Sequence, residues 1–312
     1  MTGPVVRLTT ARDDRTRGGW LPDLDRRLAA LERPVASLLE DERETLADAD
    51  RVTIVPDAHY PFHPSTGMVT DPAVVGALLS RLERPGTDVA VAGASDEYLS
   101  FERTVEYLGY RNLLERFDAD LVDLADGPTV TDEITIDERS VRVRTPERLR
   151  DGAVVIVPTL RPDETGRVAG GLRTLSRVVD CEGTTDDTAS VVGPTRAVSP
   201  DLSVLDATTA YAGRPHAADA LLAGPATAVD AIATTLLERD LSDDEALATA
   251  FAGESIRIDR IGDAPELETL RDELPDGELP PSDATHPAVS AAYRLYATVG
   301  GDAVPPQLEV RE

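Results

Sequence analysis

Lysine is missing from this chain of 312 residues, so that all 31 of its Lys-plus-Arg positions are arginine. That absence removes the Schiff-base lysine, the phosphate-binding lysine of a Walker loop and the lysine general base from the available chemistry. Cysteine occurs once, as Cys181. A single thiol excludes an intrachain disulfide, a cysteine-based zinc site and a self-contained iron–sulfur cluster, and it reads as a packing residue. Aromatic residues make up only 4% of the chain, which leaves a core of Ala, Val and Leu. No run approaches the roughly 20 apolar residues of a membrane span. The N-terminus lacks the basic-then-apolar order of an export signal, so a soluble, cytoplasmic protein without a membrane partner is expected.

Acid is what the chain has in excess. Its 58 Asp and Glu give a formal charge of -27. Such a chain repels itself, and is expected in a salt-loaded cytoplasm where the Debye length shrinks to roughly 3 Å at 1 M salt. Nucleic acid is not an expected partner, because phosphate contacts require a basic footprint; the Arg12, Arg15, Arg17 cluster is diluted by Asp13 and Asp14.

Short Val- and Ile-rich runs alternate with helical patterns. Strands are predicted over 5–10, 52–56, 88–94, 120–124, 153–158, 202–206 and 256–261, and helices over 24–31, 35–46, 72–83, 101–117, 168–178, 226–238 and 243–251. This alternation predicts an α/β fold, a mostly parallel sheet covered by helices. Residues 1–275 form one domain in this reading, and 276–312 a linker with a C-terminal helix around 287–297 packed on it. The alternating stretch 134–144 turns at Asp137-Glu138-Arg139 and predicts a small hairpin inserted on the sheet edge. Asp71-Pro72 and Ser242-Asp243-Asp244-Glu245 are helix-start signals.

The sharpest local feature is Asp57-Ala58-His59-Tyr60-Pro61-Phe62-His63-Pro64, directly after the apolar strand 52–56. Ligands gather at the carboxyl ends of strands in open α/β sheets. Asp57, His59 and His63 are a candidate ligand set for a divalent metal, and His59, His63 and His216 are candidate catalytic imidazoles, with Asp206 and Asp230 as candidate catalytic carboxylates. Pro61 and Pro64 forbid a regular helix here, so the His-x-x-x-His spacing by itself does not converge the rings. The alternative is a Pro-ordered loop whose histidines cap backbone groups. A second candidate combines Arg161, Arg167 and Arg173 around the glycines of 166–171, an anion site at a helix start. Gly166 and Gly171 have Walker spacing, but Leu172 stands in the place of the lysine and a P-loop is excluded. The alternative is arginines that neutralise acidic surface and helix ends. Asp206 ends a strand and is followed by the loop carrying Arg214 and His216; these three would face Asp57 and His59 if the loops converge. Asp230, in an apolar run, is either a buried carboxylate with a raised pKa or a helix residue paired to arginine. Ser95 lacks a nucleophile elbow, and a hydrolase triad is not supported.

Ordered blocks of the chain resemble the family catalogued as domain of unknown function 362. They are 52–56, Thr70-Asp71-Pro72-Ala73-Val74-Val75-Gly76-Ala77-Leu78, 88–95, Gly109-Tyr110 with Leu113, Asp120-Leu121-Val122-Asp123-Leu124, 153–160, 202–206 and Ala228-Val229-Asp230-Ala231. The resemblance spans about residues 50 to 262 and implies an α/β fold. It also aligns Asp206 and the loop after it, and Asp230, with aspartates of the family. Many family members carry ferredoxin-like cysteine motifs, which this chain lacks. Where the family continues its strand with Lys-Thr-His and later Lys-Asn, this chain has Thr159-Leu160-Arg161-Pro162-Asp163 and Arg173-Thr174. An iron–sulfur role therefore does not carry over. The expectation is an enzyme that binds a small anionic substrate at strand ends; the alternative is a non-catalytic ligand- or partner-binding protein that kept the fold.

Overall fold

The computed structural model describes residues 3–11, 24–40, 46, 48–59, 62, 64–96, 99–163, 167–251, 253 and 255–275. His63, the Arg12, Arg15, Arg17 cluster and the predicted C-terminal linker and helix lie outside the described residues. The strands in chain order are β1 (Val5–Thr10), β2 (Arg51–Pro56), β3 (Asp88–Gly93), β4 (Ala119–Asp123), β5 (Thr129–Ile136), β6 (Arg139–Pro146) and β7 (Ala153–Val157). They continue with β8 (Asp180–Glu182), β9 (Leu202–Ala207), β10 (Ala210–Tyr211), β11 (Pro215–His216), β12 (Ala220–Gly224) and β13 (Arg257–Ile261). The helices are α1 (Leu24–Leu38), α2 (Pro72–Leu82), α3 (Phe101–Tyr107), α4 (Tyr110–Leu114), α5 (Gly170–Ser176), α6 (Asp187–Val198), α7 (Ala226–Leu236), α8 (Glu245–Phe251) and α9 (Leu267–Glu273).

Eight strands form the central sheet in the order β13-β1-β12-β9-β7-β2-β3-β4. Every neighbouring pair is parallel except the two made by β12, which runs against β1 and β9. The fold is α/β, as expected, and the layers follow from the two-residue period of the strands. On β2, Val52 and Ile54 face the helices α1 to α4, while Val55 faces the other layer; β7 divides its Val and Ile residues in the same way. The second layer, α5 to α8, covers Val6, Leu8, Leu205 and Leu222. Each fully buried Leu, Ile or Val contributes about 1.5–3 kcal/mol, and most of the sheet is buried from both sides.

Several elements depart from the sequence expectation. The helices predicted over 24–31 and 35–46 are joined as α1, which runs through Pro34 and buries Leu31, Val35 and Leu38 along one face. The helix predicted over 101–117 breaks at Gly109, whose φ of 86° is open to a residue without a side chain. The hairpin forms where the sequence places it, as β5–β6 turning at Asp137 and Glu138 with φ of 45° and 67°, but it joins β8 in a separate three-stranded sheet instead of extending the edge of the main one. The start of α8 is capped by Asp244, which accepts from Leu247 N at 3.1 Å, and Ser242 lies in the preceding 3-10 turn. Asp71 caps α2 as the sequence signals, accepting from Ala73 N at 2.9 Å with Pro72 in the first turn.

The order of the strands locates the site. From β2 the chain works outward through α2 to β3 and β4; from β7 it works through α5 and α6 to β9, in the opposite direction. The winding reverses between β2 and β7, and the loops leaving their carboxyl ends part there, which is where open α/β sheets take ligands.

Candidate functional site

The loop after β2 brings Asp57, and the loop after β7 brings Arg161. Asp57 is held by its backbone: its N–H donates to Val157 O and to Thr70 Oγ1, both at 2.9 Å, and its carbonyl accepts from Thr70 N at 2.9 Å. Its side chain is buried, and Arg161 donates to one oxygen only, Nη2 at 2.8 Å and Nε at 3.2 Å from Oδ2. The other oxygen, Oδ1, has no hydrogen-bond partner among the described residues. Facing it at 3.9 Å is His59 Nε2, which is also buried and without a hydrogen-bond partner among them. Burial alone would raise the Asp57 pKa, but the Arg161 guanidinium beside it, with His59 and Arg177 adding, holds it below the ordinary carboxylate value. Burial depresses His59 to about 3 against the pull of Asp57, and Arg177 and Arg161 push it the same way. The pair is therefore an ionised carboxylate beside a neutral imidazole.

Asp206 approaches from the end of β9. Its Oδ2 accepts from Asp71 N at 2.8 Å, and its Oδ1 accepts from Thr208 N at 2.9 Å and Thr208 Oγ1 at 2.6 Å. Asp71 is ion-paired with Arg27 from α1. Residues 70 and 71 thus link the backbone of Asp57, bonded to Thr70, to the carboxylate of Asp206, bonded to Asp71 N. Burial lifts Asp206 to about 6, opposed by the hydrogen bonds from Thr208 and by the charge of Arg27. Tyr110, at the start of α4, is fully buried and its Oη has no hydrogen-bond partner among the described residues. Its phenol is held protonated, well above its ordinary value, by burial and then by the charges of Asp206 and Asp57.

None of the contacts above is made by Arg167, Arg173, Arg214, His216 or Asp230. Arg167 and Arg173 do not converge with Arg161 on a shared anion site. Arg167 pairs with Asp187; Arg173 is enclosed by Asp244, at 2.7 and 3.0 Å, and Asp163, at 3.1 Å. Both neutralise acidic side chains on the α5 side of the fold. Asp230, inside α7, points its carboxylate at the start of α5, accepting from Gly171 N at 2.7 Å and Leu172 N at 2.9 Å. Gly170, at φ 45°, leaves room for it: a Cβ there would lie 2.5 Å from the carboxylate. Burial raises Asp230 to about 6, against these two N–H donors and Arg173. His216 is half-buried in the β10–β11 ribbon opposite Ala210, and Arg214 is exposed in its turn, where its carbonyl accepts from Ala212 N at 3.1 Å. Ser95 bonds Asp123 and accepts from Phe101 N, a cap ahead of α3. Cys181 is half-buried, its thiol pushed up to about 11 by burial and then by Asp180. Among the described residues no group of three or more His, Cys, Asp or Glu is placed to hold a metal ion.

Sequence reasoning missed Tyr110, Arg177, Asp71 and Thr208 as neighbours of the site. Tyr110 stands out only within the family block Gly109-Tyr110, and Arg177 not at all, since each sits in an ordinary helical pattern whose charge neighbours only the fold decides.

A three-layer α/β protein with a polar cluster at the switch point of its sheet is the class these features define. The chain belongs to the family described as domain of unknown function (DUF362), which matches residues 52–235. That span contains Asp57, His59, Tyr110, Arg161, Arg177 and Asp206 and excludes β1 and β13. No curated protein and no solved structure matches the chain. Among the described residues no helix is long and apolar enough to cross a membrane.

Proposed function

We propose that the protein is an enzyme that binds a small anionic molecule at the β2/β7 switch point and moves a proton on it. The observation that carries this reading is a pair of buried atoms without hydrogen-bond partners among the described residues, Asp57 Oδ1 and His59 Nε2, 3.9 Å apart. A buried polar atom left without a partner costs about 1–3 kcal/mol, and two that face each other at the ligand-binding end of the sheet are best accounted for by a molecule that satisfies both. Arg161 keeps Asp57 ionised, and Arg177, whose charge acts on both Asp57 and His59, supplies positive potential for an anion. His59, neutral at physiological pH, hydrogen-bonds the ligand. Asp206, lifted to about 6, is the group poised to take or give a proton near neutrality, and its pKa stands apart from that of Asp57, the pattern expected of an acid–base pair.

The test is a thermal-shift screen of small carboxylates and phosphates at constant high KCl. The reading expects a concentration-dependent rise in Tm for at least one of them, lost in His59→Gln and Arg177→Met. A flat response to every anion, or a rise that both variants retain, would contradict it.

The same two atoms favour a second reading, because an ionised carboxylate and a neutral imidazole are the protonation states a divalent ion requires of its ligands. In that reading Asp57 and His59 hold the ion and His63, outside the described residues, is a further ligand. Elemental analysis of protein purified without an affinity tag would then find near-stoichiometric metal in the wild type and none in His59→Gln. Metal-free wild type would leave the anion reading alone.

A further inference from the structure

The central sheet has two outer strands, β4 and β13, and the edge of a sheet offers a row of unpaired N–H and C=O groups to a further strand. β4 is guarded against a copy of itself, because the only charges over Ala119–Asp123 are Asp120 and Asp123, both acidic. β13 is composed differently. In a chain of formal charge -27, its five residues are Arg257, Ile258, Asp259, Arg260 and Ile261, with the two signs interleaved.

The backbone decides which groups of β13 face outward. Among the described strands β13 pairs with β1 alone, in parallel, with Val5 opposite Arg257, and Arg257 N donates to Pro4 O at 2.9 Å. Successive residues of a strand turn their N–H and C=O to opposite sides. Arg257 and Asp259 therefore bond inward to β1, and Ile256, Ile258 and Arg260 present their backbone groups to the outside. The side chains alternate between the two faces. Ile256 and Ile258 pack on the cluster that α7 and α8 cover, and Ile261 on that of α1, so Arg257 and Asp259 share the α1 face with Ile261. Both are exposed, and neither side chain makes a hydrogen bond or ion pair among the described residues. Arg260, on the other face, is already paired with Glu266 at 2.6 Å.

Two copies joined antiparallel about a two-fold axis present the same strand to each other, and outward residues pair only with outward residues. Few registers meet that condition. Setting Ile256 opposite Ile258 puts Arg257 against itself, and setting Ile258 opposite Arg260 puts Asp259 against itself. Centring the axis on Arg260 opposes two arginines, and centring it on Ile256 leaves Arg257 opposite Ser255. Centring it on Ile258 opposes no like charges: Ile258 meets its own copy, Ile256 meets Arg260, and Arg257 meets Asp259 twice, because the axis repeats the pair. Opposite charges directly across an antiparallel pair stabilise it, and like charges destabilise it. We propose that the β13 edge is a dimer interface, at which a second copy of this chain adds its β13 antiparallel with Arg257 opposite Asp259, joining the two central sheets into one.

Sedimentation velocity over a range of micromolar concentrations, at one fixed high KCl, tests this with charge exchange. The wild type should show a concentration-dependent equilibrium between monomer and dimer. Arg257→Asp and Asp259→Arg each set like charges opposite each other at two places, and each should raise the dimer Kd about tenfold or more. The double variant exchanges the charges and should restore the wild-type Kd. Mixing the two single variants should restore it too, since their heterodimer has an acid opposite an arginine at both places. A single variant that lost its dimer by misfolding would not recover it on mixing. A wild type that stays monomeric throughout the range would overturn the proposal. So would a dimer that the single variants leave intact, or one that neither the double variant nor the mixture restores.

Discussion

Asp57 and Asp230 are both buried aspartates near a helix or strand end, both stood out in the sequence, and the structure treats them in opposite ways. Asp230 has both oxygens occupied by the amides that open α5, and nearby Arg173 is enclosed by Asp163 and Asp244. Asp57 has one oxygen occupied by Arg161 and the other left open toward an equally open imidazole. Buried charge is thus no mark of a working site in this molecule. What separates the two carboxylates is completeness: both oxygens of Asp230 are occupied by backbone amides, and Asp57 Oδ1 is left open among the described residues.

The comparison is broken most sharply on the satisfied side. Arg173→Ala removes the cation from between Asp244 and Asp163 and should destabilise the protein by about 3–5 kcal/mol, read as a lower urea midpoint with an unchanged m-value. Anion binding at the switch point should persist in that variant. Asp230→Ala, which strands the Gly171 and Leu172 amides, should cost about 2–4 kcal/mol by the same measurement; a loss below the error of the method would show that these amides find other partners.

Asp230 also gives the region a pH signature. Folding raises its pKa from the ordinary 3.8 to about 6, so between those values the native state binds more protons than the unfolded chain. Its contribution to stability therefore falls as pH climbs from about 4 to about 6 and is level above. The change is on the order of 2–3 kcal/mol. Subtracting the stability profile of Asp230→Asn from that of the wild type should isolate this slope, and a difference that is flat or rises across the window would contradict the burial argument.

The open side should respond least in stability and most in binding. His59→Gln removes an imidazole whose Nε2 bonds nothing, and should change the unfolding free energy by less than about 1 kcal/mol while abolishing the anion-induced shift.

The general plan of the fold was legible because strand periodicity is a local property. Residues 52–56, 88–93 and 153–157 announce themselves by Val and Ile content, and α2 by Asp71-Pro72. What escaped was structure decided by packing. Helix α6 carries Gly193 and Pro194, breakers that its burial against α5 and the β5–β6 hairpin overrides. Strand β12 has only five residues, directly ahead of Pro225, too short to stand out beside the helical pattern that follows. Pro34 suggested a helix boundary, yet the buried face of α1 continues through it. The site divides in the same way. Asp57, His59 and Arg161 were visible as polar residues directly after apolar strands. Tyr110 and Arg177 lie in helical patterns that do not announce them, while Asp230 was visible as a carboxylate in an apolar run and Arg173 as a cation at a helix start, and both are occupied elsewhere. Sequence shows which charges are unusual, and only the folded chain shows which remain unsatisfied.

The most direct test of that distinction is the anion-induced change in unfolding free energy, measured side by side in wild type, His59→Gln and Asp230→Asn with the most stabilising anion of the screen. The account predicts that His59→Gln keeps the unliganded stability and loses the increment, and that Asp230→Asn loses stability and keeps the increment. An increment lost in Asp230→Asn and kept in His59→Gln would place the working site at the start of α5 and contradict the account.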